Sequence, residues 1–440
     1  MLESINKLLW GFAAIMIVTG GFVFTKKFGG VQFHFKRMFS SLFQKNNNGG
    51  ISAFGTLMMV MAGRIGVGSL AGVALAIYYG GPGAIFWMWI ITLLCAVHTF
   101  AETVLGNIYK EKDFKKICKG GPMYYIKNGL HKPKLGLLYA IFILIAYVGG
   151  FIGIQANTIT KSLNIIYPLS PIIVGIILVF LTAIIIFGGV ERISNITNKL
   201  VPCMTLFYVG ISFFIIIMSW NHIPQVFGSI FSDAFNMKSF IGGFIPMVMI
   251  GIQRGIFAME AGLGTGSIAS SITNSDDSIS LGYIQVIGIY ITMFLICTST
   301  ALVILNSNYL TLDFADMNGI ELTQHAFIYF LGNFGNYFVF ISILLFSFST
   351  ILTGYYYGES SLKYIKKNVN SFHLTILKVI TLIILFLGAI MSSTLLWKIV
   401  DIMVAVLAIV NVYALYELKD DVKSEIIYDK KVKCDKMNLR

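Results

Sequence analysis

The sequence predicts an all-α polytopic membrane protein: a 5+5 inverted repeat preceded by one extra N-terminal span, about 11 transmembrane helices in all. Three observations carry this. Hydrophobic residues make up 57% of the 440 and charged ones 12%, with a mean hydropathy of +0.81, which leaves too little polar surface for a water-soluble globule. Apolar windows near the ~20 residues needed to cross a bilayer recur along the whole chain. Two of those windows are interrupted at corresponding places by glycines and charges, the mark of helices broken at a central site.

The windows fall at 8-24, 52-78, 84-107, 135-164, 171-188, 198-220, 241-272, 280-306, 326-358, 374-393 and 396-417. The first has Glu3 beside Lys7 and lacks a small-x-small cleavage site, so it reads as a retained span and not a secretory leader. Lys and Arg concentrate in alternate loops: Lys26, Lys27, Lys36, Arg37 and Lys45, then Lys110, Lys112, Lys115, Lys116, Lys119, Lys127, Lys132 and Lys134, then Lys363, Lys366 and Lys367. The opposite side offers Lys7, Lys161, Lys238 and Lys398. The positive-inside rule therefore sets the amino terminus outside and the carboxyl terminus in the cytoplasm, in a multi-pass plasma-membrane protein.

Setting the first span aside leaves two sets of five. Five is odd, so the second set enters the membrane in the opposite sense to the first. The expected organisation is 1-51 for the extra span and its cytoplasmic loop, 52-220 and 221-417 for the repeats, and 418-440 for a tail expected to be disordered beyond Asp420. The net charge of +12 lies in the loops, where topology accounts for it, and excludes nothing but a nucleic-acid partner. Cys95, Cys118, Cys203, Cys297 and Cys434 are scattered without CxxC or metal-ligand spacing and read as small apolar fillers. Of the histidines only His98 lies well inside a span, and it reads as a packed residue.

The first interrupted window holds Gly63, Arg64, Gly66, Gly68 and Gly72; the second holds Arg254, Gly255, Glu260, Gly262, Gly264 and Gly266. Each glycine weakens a helix by roughly 1 kcal/mol relative to alanine. A lone charge at mid-depth costs several more unless protein or water surrounds it. Hydrocarbon offers no partner for freed N–H and C=O groups, so such breaks must be buried in protein or line a cavity. Helix packing through small residues would account for Gly68 and Gly72, but not for the close run of Gly63, Gly66 and Gly68 around Arg64.

At these stretches the chain resembles the sodium:alanine/glycine symporters, the alanine or glycine:cation symporter family, which has the leucine-transporter fold. The resemblance is carried by GRIGVGSLAGVALAIYYGGPGAIFWMW (63-89), GGPMYYI (120-126), IQANTI (154-159), GGVERISNITNKLVP (188-202), RGIFAMEAGLGTGSIA (254-269), CTSTALVIL (297-305) and FSTILTGYYYGE (348-359). It implies import of a small neutral amino acid by sodium symport and alternating access, with neither ATP nor a cofactor and no enzymatic step. The chain has no GxxxxGK phosphate loop.

The resemblance and the backbone chemistry together nominate site residues. Freed N–H groups at Gly66, Val67, Gly68 and Ser69 would take the substrate carboxylate. Phe257, Met259, Ala261 and Gly262 in the second break would line the ammonium side, with carbonyls around Ala261 to Gly264 as acceptors. Gln155 matches a substrate-side glutamine of the family; its other reading is an interhelical hydrogen bond. Ser349 and Thr350, with carbonyls of Ala62 and Ile65, resemble a sodium site, although such hydroxyls also bond back to their own helix. Arg254 and Glu260 are six apart, off the spacing for pairing on one helix face, so each needs another partner. Glu102 reads as a structural counter-charge or a proton carrier.

The chain departs from the family pattern in three places. It has Gly66-Val67-Gly68-Ser69 for Gly-Thr-Gly-Asn, Phe257-Ala258-Met259-Glu260 for Phe-Ser-Asn-Glu, and Gly354 for an expected tryptophan. These changes suggest a roomier, less polar pocket that accepts a larger apolar amino acid. They leave two alternatives to sodium symport open: proton coupling, and a non-transporting amino-acid sensor.

Overall fold

The computed structural model describes residues 2–43, 52–112, 118–236, 240–273, 277–307, 319–366 and 368–438. Lys45, Lys115, Lys116, Lys238 and Lys367, used above for topology, lie outside the described residues. Among the described residues the architecture is almost entirely helical, with one two-residue antiparallel ladder, Glu111–Lys112 against Cys118–Lys119.

Among the described residues nine helices are long and apolar enough to span: Glu3–Phe28, Gly83–Ile108, Pro133–Ile166, Gly189–Met218, Gly242–Met259, Ser278–Asn306, Asn333–Ile365, Ser371–Ile390 and Ser393–Glu417. A tenth span is the bent pair Phe54–Arg64 and Gly68–Gly80, whose halves meet at 56°. The expected eleventh, Pro171–Ile186, has 16 residues. At 1.5 Å per residue that is about 24 Å, shorter than the ~30 Å hydrocarbon core.

Two expectations are corrected. The 326-358 window is two helices, Ile320–Leu331 and Asn333–Ile365, separated by Gly332 at φ 57, a left-handed residue that ends one helix and starts the next. The residues after Asp420 are not disordered: Lys419–Asn438 is a helix. It docks because Val422 and Ile426, one turn apart, are buried. Polar ties run beside them: Lys27 Nζ lies 2.5 Å from Asp420, Tyr109 donates to Asp421 at 2.8 Å, and Ser278 donates to Glu425 at 2.8 Å. The indole N–H groups of Trp87 and Trp89 donate to Ala234 O and Thr298 Oγ1.

Two packed groups of helices organise the molecule. In one, Gly83–Ile108 lies between Ile245–Met259 and Ser278–Tyr290, next to both broken spans. In the other, Ser371–Ile390 packs on Ile152–Ile166 and on Pro171–Ile186. The long Asn333–Ile365 helix touches both. Two helices cross closely at Gly153 and Gly388: a Cβ built on Gly388 would stand 2.4 Å from the Gly153 Cα. Backbone cannot step aside as a flexible side chain can. Gly388→Leu is therefore expected to destabilise the fold by about 3 kcal/mol or more, the upper end of overpacking. Thermal unfolding of the detergent-purified variant, followed by size-exclusion fluorescence, checks this.

Candidate functional site

The first break begins at Ile65, whose φ −83, ψ 86 leaves the helical region. In an unbroken helix the Ala62 and Gly63 carbonyls would accept from the N–H groups of Gly66 and Val67. Here Gly66 N–H turns to Arg64 O at 3.1 Å and Val67 N–H donates to Gln155 Oε1 at 3.1 Å. The carbonyls are thereby freed. Thr350 Oγ1 stands 3.0 Å from Ala62 O and 3.4 Å from both Gly63 O and Ile65 O, and Ser349 Oγ stands 3.2 Å from Ala62 O. Both hydroxyls also reach back to Phe346 O, at 2.8 Å from Ser349 and 3.1 Å from Thr350, so the local and the cross-helix readings hold together. The result is a buried group of five uncharged oxygens on two helices.

The second break follows Met259. Glu260 is left-handed at φ 50, a conformation that costs a residue with a side chain about 1–2 kcal/mol. Gly262 and Gly264 are also at positive φ, and a Cβ on Gly264 would lie 2.2 Å from Pro122 Cγ, so only glycine fits there. The exposed backbone is met by side chains from other helices. Gly264 N–H donates to Glu102 Oε2 at 2.9 Å, Asn411 Nδ2 donates to Gly262 O at 2.8 Å, and the Tyr139 hydroxyl donates to Leu263 O. Asn411 Nδ2 also reaches Glu102 Oε2 at 3.1 Å, and its Oδ1 accepts from Tyr125.

The two breaks touch. A Cβ on Gly68 would lie 3.0 Å from Ala258 Cα and from Phe257 Cδ1, and one on Gly66 would lie 2.4 Å from Thr350 Oγ1 and 3.1 Å from Gln155 Oε1. Gly66, Val67, Gly68, Gln155, Phe257, Ser349 and Thr350 are thus one neighbourhood. Ser69 and Ala261 are buried as well. Met259 instead lies over Gly255, on the side where Ile91 and Met88 pack. Gly354 lies behind the seam, with the Ile152 side chain 3.4 Å and Tyr147 O 3.8 Å from where its Cβ would be.

An aromatic stack closes one side. Tyr147 stacks on Phe151 at 4.4 Å, Phe151 on Phe257 at 5.1 Å, and Trp397 leans on Phe257 at 4.9 Å. Arg254 lies over Trp397 at 4.7 Å and pairs with Asp401 at 2.7 Å, while the Trp10 indole donates to Asp401 O. Beyond this lid opens a cavity of about 750 Å3, reaching Lys7, Lys161 and Lys398 at its rim. Asp401 and Asn411 were missed in the sequence. Asp401 is an ionisable residue inside an apolar window, which by itself marks a functional candidate and supplies the partner Arg254 required.

Two broken helices meeting over an oxygen cluster and a lidded chamber define a secondary transporter of the inverted-repeat class. The chain belongs to the sodium:alanine symporter family, whose model matches residues 1–438. It is a sodium-coupled symporter by family and not an enzyme. The chain is similar to the amino-acid carrier protein AlsT of Bacillus subtilis (strain 168), 34% identical over 92% of this chain and 86% of that one. It is also similar to the sodium/alanine symporter AgcS of Methanococcus maripaludis, 32% identical over 97% and 96%. Among solved structures, a mutant of the Eremococcus coleocola manganese transporter aligns at TM-score 0.55 and 13% identity, over 83% of this chain and 77% of that one. A Na+-coupled sialic acid symporter in a substrate-bound outward-open state aligns at 0.50 and 14%, over 92% and 82%. These last two share the fold.

Gln155→Leu leaves the Val67 N–H buried without its acceptor, an expected loss of about 1–3 kcal/mol. Gln155→Glu keeps an acceptor and is expected to recover most of it. Thermal unfolding of the two purified variants in sodium-containing buffer compares them.

Proposed function

We propose that this protein imports a small neutral amino acid, alanine or glycine, together with sodium across the plasma membrane by alternating access. The observation that carries the reading is the meeting of freed backbone with hydroxyl oxygens at one buried point. Sodium is a hard cation that takes uncharged oxygens, and the carbonyls of Ala62, Gly63 and Ile65 with Ser349 Oγ and Thr350 Oγ1 supply that donor chemistry. With the ion present the two hydroxyl hydrogens rotate away and present lone pairs. One turn on, the positive end of the second half-helix favours a carboxylate, which would take over the Val67 N–H from Gln155 and the Ser69 N–H from Gly66 O. The carbonyls of the second break, Gly262 O among them, suit an ammonium group. Phe257 and Trp397 cover this pair of charges on the side of the large cavity, and the Arg254–Asp401 pair fastens the cover.

The amino terminus is read as external, because the cavity that opens beyond the lid is rimmed by Lys7, Lys161 and Lys398, the residues of the cation-poor side. Size selection is set where the chain has Gly354. Ile152 takes part of the space a tryptophan would fill, so the reading favours amino acids up to a modest apolar side chain over bulky ones.

Reconstituted vesicles with an inward sodium gradient are expected to accumulate labelled alanine, and without sodium they are not. Competition by unlabelled glycine, valine, leucine and glutamine then ranks side-chain size; displacement by glycine and alanine alone would rule out a widened pocket. Thr350→Val removes one oxygen and is expected to raise the sodium concentration for half-maximal uptake about tenfold, equivalent to about 1.4 kcal/mol, while Thr350→Ser keeps the wild-type value. Equal sodium dependence in all three proteins would sink the ion assignment.

A further inference from the structure

Beside the two breaks lies a group of charges that neither the sodium oxygens nor the amino-acid contacts use. Arg64, Glu102 and Glu260 are all buried, at 2%, 0% and 1% exposure. Arg64 ends the first half-helix, Glu260 opens the second break, and Glu102 comes from the Gly83–Ile108 helix. Two glycines tie Arg64 to Glu102 and the first half-helix to Glu260. A Cβ on Gly266 would lie 2.9 Å from Arg64 Nη2 and 3.7 Å from Glu102 Oε1; one on Gly63 would lie 3.2 Å from the Tyr357 hydroxyl and 3.6 Å from Glu260 Oε2.

Part of the group is satisfied. Arg64 Nη1 donates to Gln285 O at 3.1 Å, Glu102 Oε2 accepts from Gly264 N–H and Asn411, and Glu260 Oε2 accepts from Thr265 at 2.9 Å. The rest is not. Arg64 Nε and Nη2, Glu102 Oε1, Glu260 Oε1, the Tyr357 hydroxyl and the Gln285 amide have no hydrogen-bond partner among the described residues. The formal charge of the group is one positive against two negative. The other titratable groups that face it are Cys95 on the helix of Glu102, Tyr125, Tyr139 and Tyr147 from the helices packed alongside, and Tyr357 with Tyr356 from Asn333–Ile365. None of these is a cation. An unbalanced buried negative charge among apolar spans is costly, and like-charged carboxyls near one another do not both stay ionised.

We propose that Glu102 and Glu260 form an exchangeable proton-binding pair that carries one proton in all, which balances Arg64 and links the two breaks. A metal cation fits less well. It would need several converging oxygens, whereas here the Gly264 N–H and the Asn411 amide already donate to Glu102 Oε2 and the Arg64 guanidinium is buried nearby. A proton needs one oxygen, and it turns an orphaned acceptor into a donor for the unpaired groups around it. Its binding reaches both broken helices, because Glu102 holds the Gly264 N–H of the second break while Arg64 ends the first. The proposal rests on the transport reading only in that substrate binding moves these breaks.

The test is proton counting by titration calorimetry. Alanine is added to the full-length protein with saturating sodium, in buffers of different ionisation enthalpy, from about pH 6 to pH 9, where buried carboxyls can titrate. Wild-type protein is expected to exchange protons with substrate, and Glu102→Gln or Glu260→Gln to bind substrate while exchanging none. No exchange by wild type at any pH overturns the site, as does wild-type exchange in both variants. Should the Gln variants not fold, Glu102→Asp and Glu260→Asp replace them: a shifted midpoint in the pH profile of exchange supports the site, and an unmoved one overturns it. Absence of sodium-driven alanine accumulation in vesicles would strike the transport reading instead, and the same proton count can then be taken with sodium as the only ligand added.

Discussion

The constraint on which the structure depends is that a peptide group in hydrocarbon must find its hydrogen bond within the protein. A span that stays helical meets it alone. A span that breaks passes the demand to its neighbours, and here the neighbours can be named: Gln155 for Val67 N–H, Ser349 and Thr350 at the Ala62 carbonyl, Glu102 for Gly264 N–H, Asn411 for Gly262 O and Tyr139 for Leu263 O. These side chains come from four different spans, Gln155 and Tyr139 sharing one. The breaks therefore fix where those helices must stand.

The two breaks are answered differently. The first keeps carbonyl oxygens facing hydroxyls, a weak and replaceable arrangement in which an ion can take the place of the hydroxyl hydrogens. The second is held by a carboxylate, an asparagine and a tyrosine, the first of these a charge-assisted bond and so a stronger one. One break is built to exchange its partners and the other to hold its shape. This asymmetry also explains why left-handed residues gather in the second, at Glu260, Gly262 and Gly264: a backbone bent that sharply persists only where surrounding groups over-determine it.

Much of this was legible in the sequence because glycine and charge inside an apolar window are rare enough to be read alone. Gly63 to Gly68 and Glu260 to Gly266 announced the breaks, and the Ser349–Thr350 pair could be matched to the carbonyls it meets. The partners were harder to read. Asn411, Tyr139 and Tyr125 are ordinary polar residues within helices, and only the fold brings them to the second break. The tail was misjudged because its composition is charged throughout, while what docks it is two apolar side chains one turn apart, Val422 and Ile426. Gly332 was overlooked because a single glycine within an apolar run breaks no hydropathy window, although its positive φ divides two helices.

The lid shows how a buried ion pair can serve as a fastening. Arg254 belongs to the second broken span and Asp401 to Ser393–Glu417, and the guanidinium also lies flat on Trp397, which leans on Phe257. Removing both charges from water is costly, and their attraction only partly offsets it, so the pair adds little to stability. Its geometry is nonetheless specific, since a guanidinium that must meet a carboxylate and an indole face together has few positions available. Arg254 Nη1 and Asp401 Oδ1, beside the cavity, have no hydrogen-bond partner among the described residues, which makes the closed state of this pair less than fully satisfied. Opening exchanges one strong contact for hydration of both groups from that cavity. A fastening of this kind can define a closed position sharply while keeping the closed and open arrangements close in free energy, the condition alternating access requires.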